Sequence, residues 1–272
     1  MTPLQLEYWQ ISLLAVVQGI TEFLPISSSA HLLLPAILLD WPDQGLTFDV
    51  AVHVGTLVAV LAYFRRDVQT LFLAWCGSLG GERSPQARLA WLLIAATIPA
   101  GIAGLLLNDW IEQYARSALV IGATSILFAL LLWLADRVRT PERSLEDVGW
   151  RTALFIGAAQ VLALIPGTSR SGITMTAGLL CGLGRRDAAR FSFLLAIPII
   201  LASGALRGVD LLASGAATAD WPLLLYAASL AAVVAYACIH FFLRLIERIG
   251  FLPFVLYRVV LGIILLGLYW LP

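Results

Sequence analysis

Glu22, Ser28 and His31 sit in the stretch QGITEFLPISSSAH, which begins at Gln18 inside a run of Leu, Ile, Val and Ala. Gln18 and Glu22 are four residues apart, so on a helix they share a face. A carboxylate and an amide oxygen are hard ligands, suited to Mg2+ or Ca2+ beside water or a substrate phosphate. Ser28 and His31 are three apart, a spacing that lets an imidazole accept the hydroxyl proton and activate a serine nucleophile. A second polar stretch, PGTSRSG from Pro166 to Gly172, contributes Thr168, Ser169, Arg170, Ser171 and Gly172. Arg170 is a permanent cation whose planar fork matches phosphate geometry. Each stretch turns at a proline and then starts an apolar helix, whose free N–H groups and positive dipole end form an anion cradle. A hydroxyl surrounded by a cation, an arginine and two helix N-termini asks for a phosphate or diphosphate. The catalytic candidates are Glu22, Ser28, His31 and Arg170. Gln18, Ser27, Ser29, Thr168, Ser169, Ser171 and Gly172 are the candidate substrate contacts, and Glu22 with Gln18 the candidate metal ligands.

Each piece also has a plainer reading. Serines in membrane helices bond back to the backbone or tighten helix contacts. His31 could be a buried imidazole satisfied by a carbonyl, and Glu22 with Arg170 a structural ion pair. Asp49 and His53 read equally as a second layer behind the site or as an interfacial pair. Arg258 reads as a residue that snorkels or pairs with a carbonyl. Ionisable groups within a bilayer are costly and default to function, and Glu22, Ser28 and Arg170 at matched breaks argue for the site.

What must position these residues is a membrane. The 272 residues are 60% hydrophobic and 12% charged, against about 45–50% and about 25% for a soluble domain. Net charge is zero and all seventeen basic residues are arginine, with no clustered basic face for nucleic acid. Cys76, Cys181 and Cys238 are far apart and read as small apolar residues. The first residues carry no Lys or Arg, so no cleaved signal peptide is expected. No soluble domain is expected, since the longest polar connection runs from Asp136 to Gly149.

Apolar runs predict six crossings, at 47–64, 87–107, 117–135, 188–206, 221–243 and 251–270. Residues 8–39 and 150–183 are broken at PISSS and PGTSRSG, and each half is too short to cross. They read as re-entrant helix–loop–helix hairpins. Arg65, Arg66, Arg83, Arg88, Arg137, Arg139, Arg143, Arg151, Arg185, Arg186, Arg190, Arg244 and Arg248 fall in connections of one face. Only Arg116 and Arg207 fall on the other. The arginine-rich face is cytoplasmic by the positive-inside rule. This works only if 150–183 enters and leaves on the cytoplasmic side and 8–39 on the outside, with both termini outside. Trp41, Trp110, Trp150, Trp221 and Trp270 read as interfacial anchors.

The breaks align Pro25 with Pro166, Ser27 with Thr168 and Ser28 with Ser169. One hairpin plus three crossings is therefore repeated, about 1–136 and 145–272, within a single membrane domain. Three is odd, so the second copy is inverted, and the special site lies near the midplane where the tips meet. The expected fold is all-α and integral to the membrane, with six crossings and two re-entrant hairpins in an inverted-topology repeat.

QGITEFLPISSSAH resembles the first signature of the bacitracin-resistance-type undecaprenyl-diphosphatases, and PGTSRSG the second. The resemblance covers essentially the whole chain, including RRDAARFSFLLAIP. It implies an integral phosphatase of the bacterial inner membrane that converts undecaprenyl diphosphate, a C55 isoprenyl lipid, to undecaprenyl phosphate for cell-wall synthesis. It further implies a divalent cation, Mg2+ or Ca2+, and a site open to the outer, periplasmic face. Carried over, Gln18 and Glu22 fall on the acidic motif, Ser28 on the nucleophile, His31 on the motif histidine and Arg170 on the phosphate-binding arginine. Many relatives have Glu at the Gln18 position, and an amide cannot be an acid, a base or an anionic ligand. The expected partners are the lipid substrate and membrane lipid, with no nucleic acid, and a homodimer is left open. The rival reading is a flippase or transporter of undecaprenyl phosphate with the same inverted-repeat site. A carrier needs anion binding but no nucleophile. The other membrane lipid-phosphatase family, with Lys…Arg-Pro, Ser-Gly-His and Ser-Arg…His signatures, does not match a chain without lysine.

Overall fold

A computed structural model describes residues 6–115, 117–138, 143–213 and 220–270. Arg116 and Arg139 lie outside the described residues, as does the side chain of Arg207. The described chain is helical: α1 Tyr8–Thr21, α2 Ser28–Leu39, α3 Gly45–Tyr63, α4 Arg65–Leu79, α5 Pro85–Tyr114, α6 Ala118–Arg137, α7 Trp150–Val161, α8 Arg170–Leu180, α9 Arg185–Ala213, α10 Trp221–Ile249 and α11 Leu252–Trp270. Six of these, α3, α5, α6, α9, α10 and α11, are long and apolar enough to cross a membrane, matching the six runs in the sequence. The protein is an all-α integral membrane protein.

Local chemistry sets the helix starts. Ser84 Oγ accepts from the Ala87 amide at 3.1 Å ahead of Pro85 at the first position of α5, and Asp220 caps α10 through the Leu223 amide at 3.2 Å. Gly250, at φ 67°, ends α10. Small residues set the closest approaches, as in membrane bundles generally. A Cβ on Gly19 of α1 would come within 2.8 Å of the Ala231 carbonyl on α10, and one on Gly157 of α7 would strike the Ala96 backbone on α5. Hence α1 packs on α10 and α7 on α5, so each short helix leans on a crossing from the other half of the chain.

The ends of the two broken segments lie together. Trp9, at the start of α1, meets Trp41, just past α2, edge to face at 5.1 Å. The Arg143 amide donates to Gly182 O at 2.7 Å and the Gly184 amide to Arg143 O at 3.3 Å, joining the approach to α7 to the exit from α8. Arg185 grips Asp136 at 2.7 and 2.9 Å, Arg190 reaches Asp67 at 3.1 Å, and Arg88 donates to Glu146 O and Val148 O at 3.0 and 3.2 Å. These contacts gather three arginine-bearing connections, 65–88, 136–151 and 185–190, at one end of the bundle.

One element was not expected. The 65–88 connection contains α4, none of whose residues is buried. Phe72, Leu73 and Leu79 are exposed beside charged Arg65, Arg66 and Asp67, the two-faced pattern of a helix lying at a membrane interface.

Candidate active site

The two breaks fold alike, one residue away from the sequence alignment. Ser27 has φ 73° and ψ 95°, and Ser169 has φ 70° and ψ 113°. Each is the last residue before a helix, and each hydroxyl meets that of the residue two further on, at 3.3 Å for Ser27–Ser29 and 3.2 Å for Ser169–Ser171. The structural equivalent of Ser27 is therefore Ser169, and that of Ser28 is Arg170, each the first residue of its helix. Gly167 supplies the extra residue. Its φ is +89°, and a Cβ there would run into Thr124 Oγ1.

A non-glycine residue at positive φ costs on the order of 1–3 kcal/mol and persists only where its surroundings hold it. Here Arg258 of α11 provides much of the hold. It is wholly buried and donates to Pro25 O at 3.3 Å on the first tip and to Gly167 O and Thr168 O at 2.8 and 2.9 Å on the second. Of the two sequence readings for Arg258, it takes carbonyl pairing and does not snorkel. Ser171 Oγ adds a bond across the tips, to Leu24 O at 2.7 Å.

Glu22 is the centre of the polar cluster. Its Oε2 accepts from Ser28 Oγ at 2.8 Å and Gln18 Nε2 at 3.0 Å, and its Oε1 from Arg170 Nη2 at 3.2 Å. His53 Nε2 stands 3.7 Å from Oε2, while Asp49 faces Gln44 at 3.1 Å. So His53 backs the site and its Asp49 neighbour turns elsewhere. Arg170 Nη1 is fixed by Ser192 O at 3.2 Å. Glu22 and Arg170 are both largely buried, an arrangement whose desolvation cost makes it poor evidence for stability and better evidence for function. Ser28 remains partly exposed and Ser29 exposed, so an approaching ligand meets hydroxyls first.

His31 is not brought to Ser28. Its Nδ1 lies 2.7 Å from Ser27 O and its Nε2 2.6 Å from Tyr257 Oη, with the imidazole and phenol rings stacked at 5.6 Å. A carbonyl only accepts, so Nδ1 carries the proton, and a neutral ring then accepts from the Tyr257 hydroxyl at Nε2. Both nitrogens are engaged, and the Ser28 proton points at Glu22 instead. Of the remaining candidates, Thr168 is buried with an unpartnered hydroxyl. Gly172 donates its amide to Ser169 Oγ at 3.1 Å and has an Arg258 nitrogen 3.0 Å from where a Cβ would stand.

Residues 11–264 match the family model described as bacitracin resistance protein BacA. The chain belongs to this family. It is similar to an undecaprenyl-diphosphatase of Teredinibacter turnerae, 56% identical over 94% of this chain and 97% of that protein. It is also similar to one of Alteromonas mediterranea, 56% identical over 95% and 97%. An undecaprenyl-diphosphatase 2 of Stutzerimonas stutzeri is 56% identical over 96% and 97%.

In this BacA-family chain the donor set for a cation is partial. Among the described residues no three His, Cys, Asp or Glu side chains gather for a metal, so there is no all-protein cage. Gln18 is nevertheless buried with Oε1 lacking any partner, beside the Glu22 carboxylate. One carboxylate and one orphaned amide oxygen fit a hard cation that takes its other ligands from water and substrate phosphate.

Sequence reasoning passed over Tyr257 and Gln160. Tyr257 precedes an intramembrane arginine, which was the available signal. Gln160 stands in the last turn of α7 as Gln18 does in α1, buried with neither amide atom partnered.

Proposed function

We propose that this protein hydrolyses undecaprenyl diphosphate to undecaprenyl phosphate and phosphate, with Ser28 as nucleophile and Glu22 as its base. The relatives' names supply the substrate class, and the observation that carries the mechanism is the 2.8 Å bond from Ser28 Oγ to Glu22 Oε2.

The chemistry is phosphoryl transfer, in which positioning and charge neutralisation do most of the catalysis. Ser28 Oγ attacks the terminal phosphorus as its proton passes to Glu22. The bond from that phosphorus to the bridging oxygen breaks, and undecaprenyl phosphate departs with the bridging oxygen. Protonation removes the charge that held Arg170 to Glu22, leaving the guanidinium free to meet the phosphoryl oxygens. Glu22 gives its proton to the departing phosphate and, as a carboxylate again, takes one from water. That water opens the phosphoserine, and Ser28 recovers the proton as it leaves. His31 and Tyr257 act by positioning, since they hold the Ser27 carbonyl at the turn before Ser28. A divalent cation bound through Glu22 and Gln18 Oε1 would supply further charge neutralisation on the diphosphate.

The same reading places the protein in the bacterial inner membrane. Both broken segments are re-entrant in an inverted repeat, the tips meet near the midplane, and the site opens outward with both termini outside. Its support is the clustering of Arg88, Arg143, Arg185 and Arg190 at one bundle end. A carrier of undecaprenyl phosphate would need the Arg170 side of this site but not a hydroxyl bonded to a carboxylate.

The test is phosphate release from undecaprenyl diphosphate by purified protein in detergent, with Ser28→Ala alongside. Release that the variant abolishes is expected. Wild-type protein that binds the lipid and releases nothing would move the reading to the carrier.

A further inference from the structure

At the arginine-rich end of the bundle a cavity of about 400 Å3 opens between α4, the start of α5, the turn at Leu145–Val148 and α9. It lies on the other side of α9 from the catalytic tips. Ser192 turns toward the tips, where its carbonyl holds Arg170, whereas Arg190 and Leu194, one helical turn apart, line the cavity. Phe193 packs between Phe23 and Phe64, at 5.2 and 6.4 Å, in the core that divides the two regions.

The cavity has a charged mouth and an apolar floor. Arg66, Arg88 and Arg190 line it together with Asp67 and Glu146. Arg190 is engaged by Asp67 at 3.1 Å and by Asp187 at 3.7 Å. Arg88 donates through one nitrogen to the carbonyls of Glu146 and Val148 and acts on the nearby Asp147 carboxylate without forming an ion pair with it. Arg66 makes no ion pair among the described residues. The turn that closes the cavity is built rather than loose. Arg143 Nη2 donates to Asp147 O at 3.0 Å, and Ser144 donates to the Asp147 carboxylate through both its amide and its hydroxyl at 2.9 Å. Those two bonds hold the Asp147 carboxyl below the usual carboxylate range. Below the mouth, Leu71, Leu89, Leu92 and Leu194 make the floor, and the exposed apolar face of α4 sets the depth at that of lipid headgroups.

We propose that this cavity binds the phosphodiester headgroup of an anionic phospholipid, with the phosphate between Arg66 and Arg88 and the first acyl carbons against the leucines. Arg66, which has no ion pair among the described residues, offers one uncompensated positive charge, and that matches a phosphodiester, which carries one negative charge, better than a phosphate monoester. Basic pockets between helices at the cytoplasmic face are the setting in which such headgroups bind. The site is separate from the phosphatase site, and its ligand is bound, not turned over.

Native mass spectrometry of the full-length protein, titrated with phosphatidylglycerol, phosphatidylethanolamine and undecaprenyl phosphate in separate arms, tests it. Wild-type protein is expected to retain phosphatidylglycerol in preference to the zwitterionic lipid. Arg66→Gln, which breaks no ion pair, should weaken that binding about fivefold with phosphate release in detergent unchanged. Arg88→Gln should weaken it similarly, and a thermal melt distinguishes that from loosening of the turn. Equal retention of the two phospholipids, or binding indifferent to both substitutions, overturns the proposal. So does tighter binding of undecaprenyl phosphate that Arg66→Gln abolishes, which would assign the cavity to the reaction product instead.

Discussion

Ser28 and Glu22 meet across a turn of the chain, the hydroxyl 2.8 Å from one carboxylate oxygen while Arg170 holds the other at 3.2 Å. In the proposed mechanism the nucleophile and the counter-charge thus meet on the side chain that takes the proton. Replacing that carboxylate by an amide keeps its size and removes its basicity. Glu22→Gln is expected to lower kcat by about 10^2–10^4-fold, the usual contribution of a general base, measured as phosphate release with the folded state checked by thermal melt. Activity within a few-fold of wild type would assign the proton to another group.

Arg170 differs from a lysine by its fork, with Nη1 tied to Ser192 O and Nη2 to Glu22. Arg170→Lys keeps the charge but loses the two-pronged geometry. A fall of about 100-fold in kcat/KM is expected, in the range for losing one fixed donor to a developing oxyanion. Full activity of the lysine variant would mean that charge alone suffices.

Tyr257 touches His31 and lies outside the Glu22 cluster. Tyr257→Phe leaves the imidazole nitrogen without its donor, a loss of about 1–3 kcal/mol. The expected result is a kcat lowered by about tenfold with KM and the shape of the pH–rate profile unchanged, because in the proposed mechanism neither ring moves the proton. A profile that loses one limb in Tyr257→Phe or His31→Ala would instead make His31 the base.

Arg258 joins three carbonyls of the two tips. Arg258→Met fills similar volume but leaves the Pro25 and Thr168 carbonyls without this donor and Gly167 O with only the 3.5 Å bond from Ser125 Oγ, at on the order of 1–3 kcal/mol for each unsatisfied group. The melting temperature and the activity should fall together, and substrate binding should weaken with them. A variant as stable as wild type would mean that the tips hold their shape unaided.

Gln18 offers an unpartnered oxygen where a carboxylate would add charge. If a cation bridges Glu22, Gln18 and the diphosphate, EDTA abolishes phosphate release. Gln18→Glu then reaches half-maximal activity at a lower Mg2+ concentration. An unchanged Mg2+ requirement in the variant removes Gln18 from the coordination sphere.

The six crossings were legible because length and hydropathy alone define them, and the expected 117–135 became Ala118–Arg137. Gln18, Glu22 and Arg170 were legible because charged and amide groups stand out in an apolar sequence, and Ser28 because its hydroxyl falls in the same polar break. The register of the tips was not: similarity of letters pairs Ser28 with Ser169, whereas the positive φ shared by Ser27 and Ser169 pairs Ser28 with Arg170. Backbone conformation at a serine leaves no mark in composition. The bond between Tyr257 and His31 spans most of the chain, and no local spacing announces such a pair. Helix α4 was hidden because it has too little apolar length for a crossing and too few buried residues for a core helix.

The central claim is that Ser28 itself takes the phosphoryl group. It is tested most directly with undecaprenyl diphosphate whose terminal phosphoryl group is made chiral by sulfur and oxygen isotopes, followed by the configuration of the released thiophosphate. Two in-line displacements, first by Ser28 and then by water, predict net retention. Inversion would mean a single displacement by water, and would contradict the account.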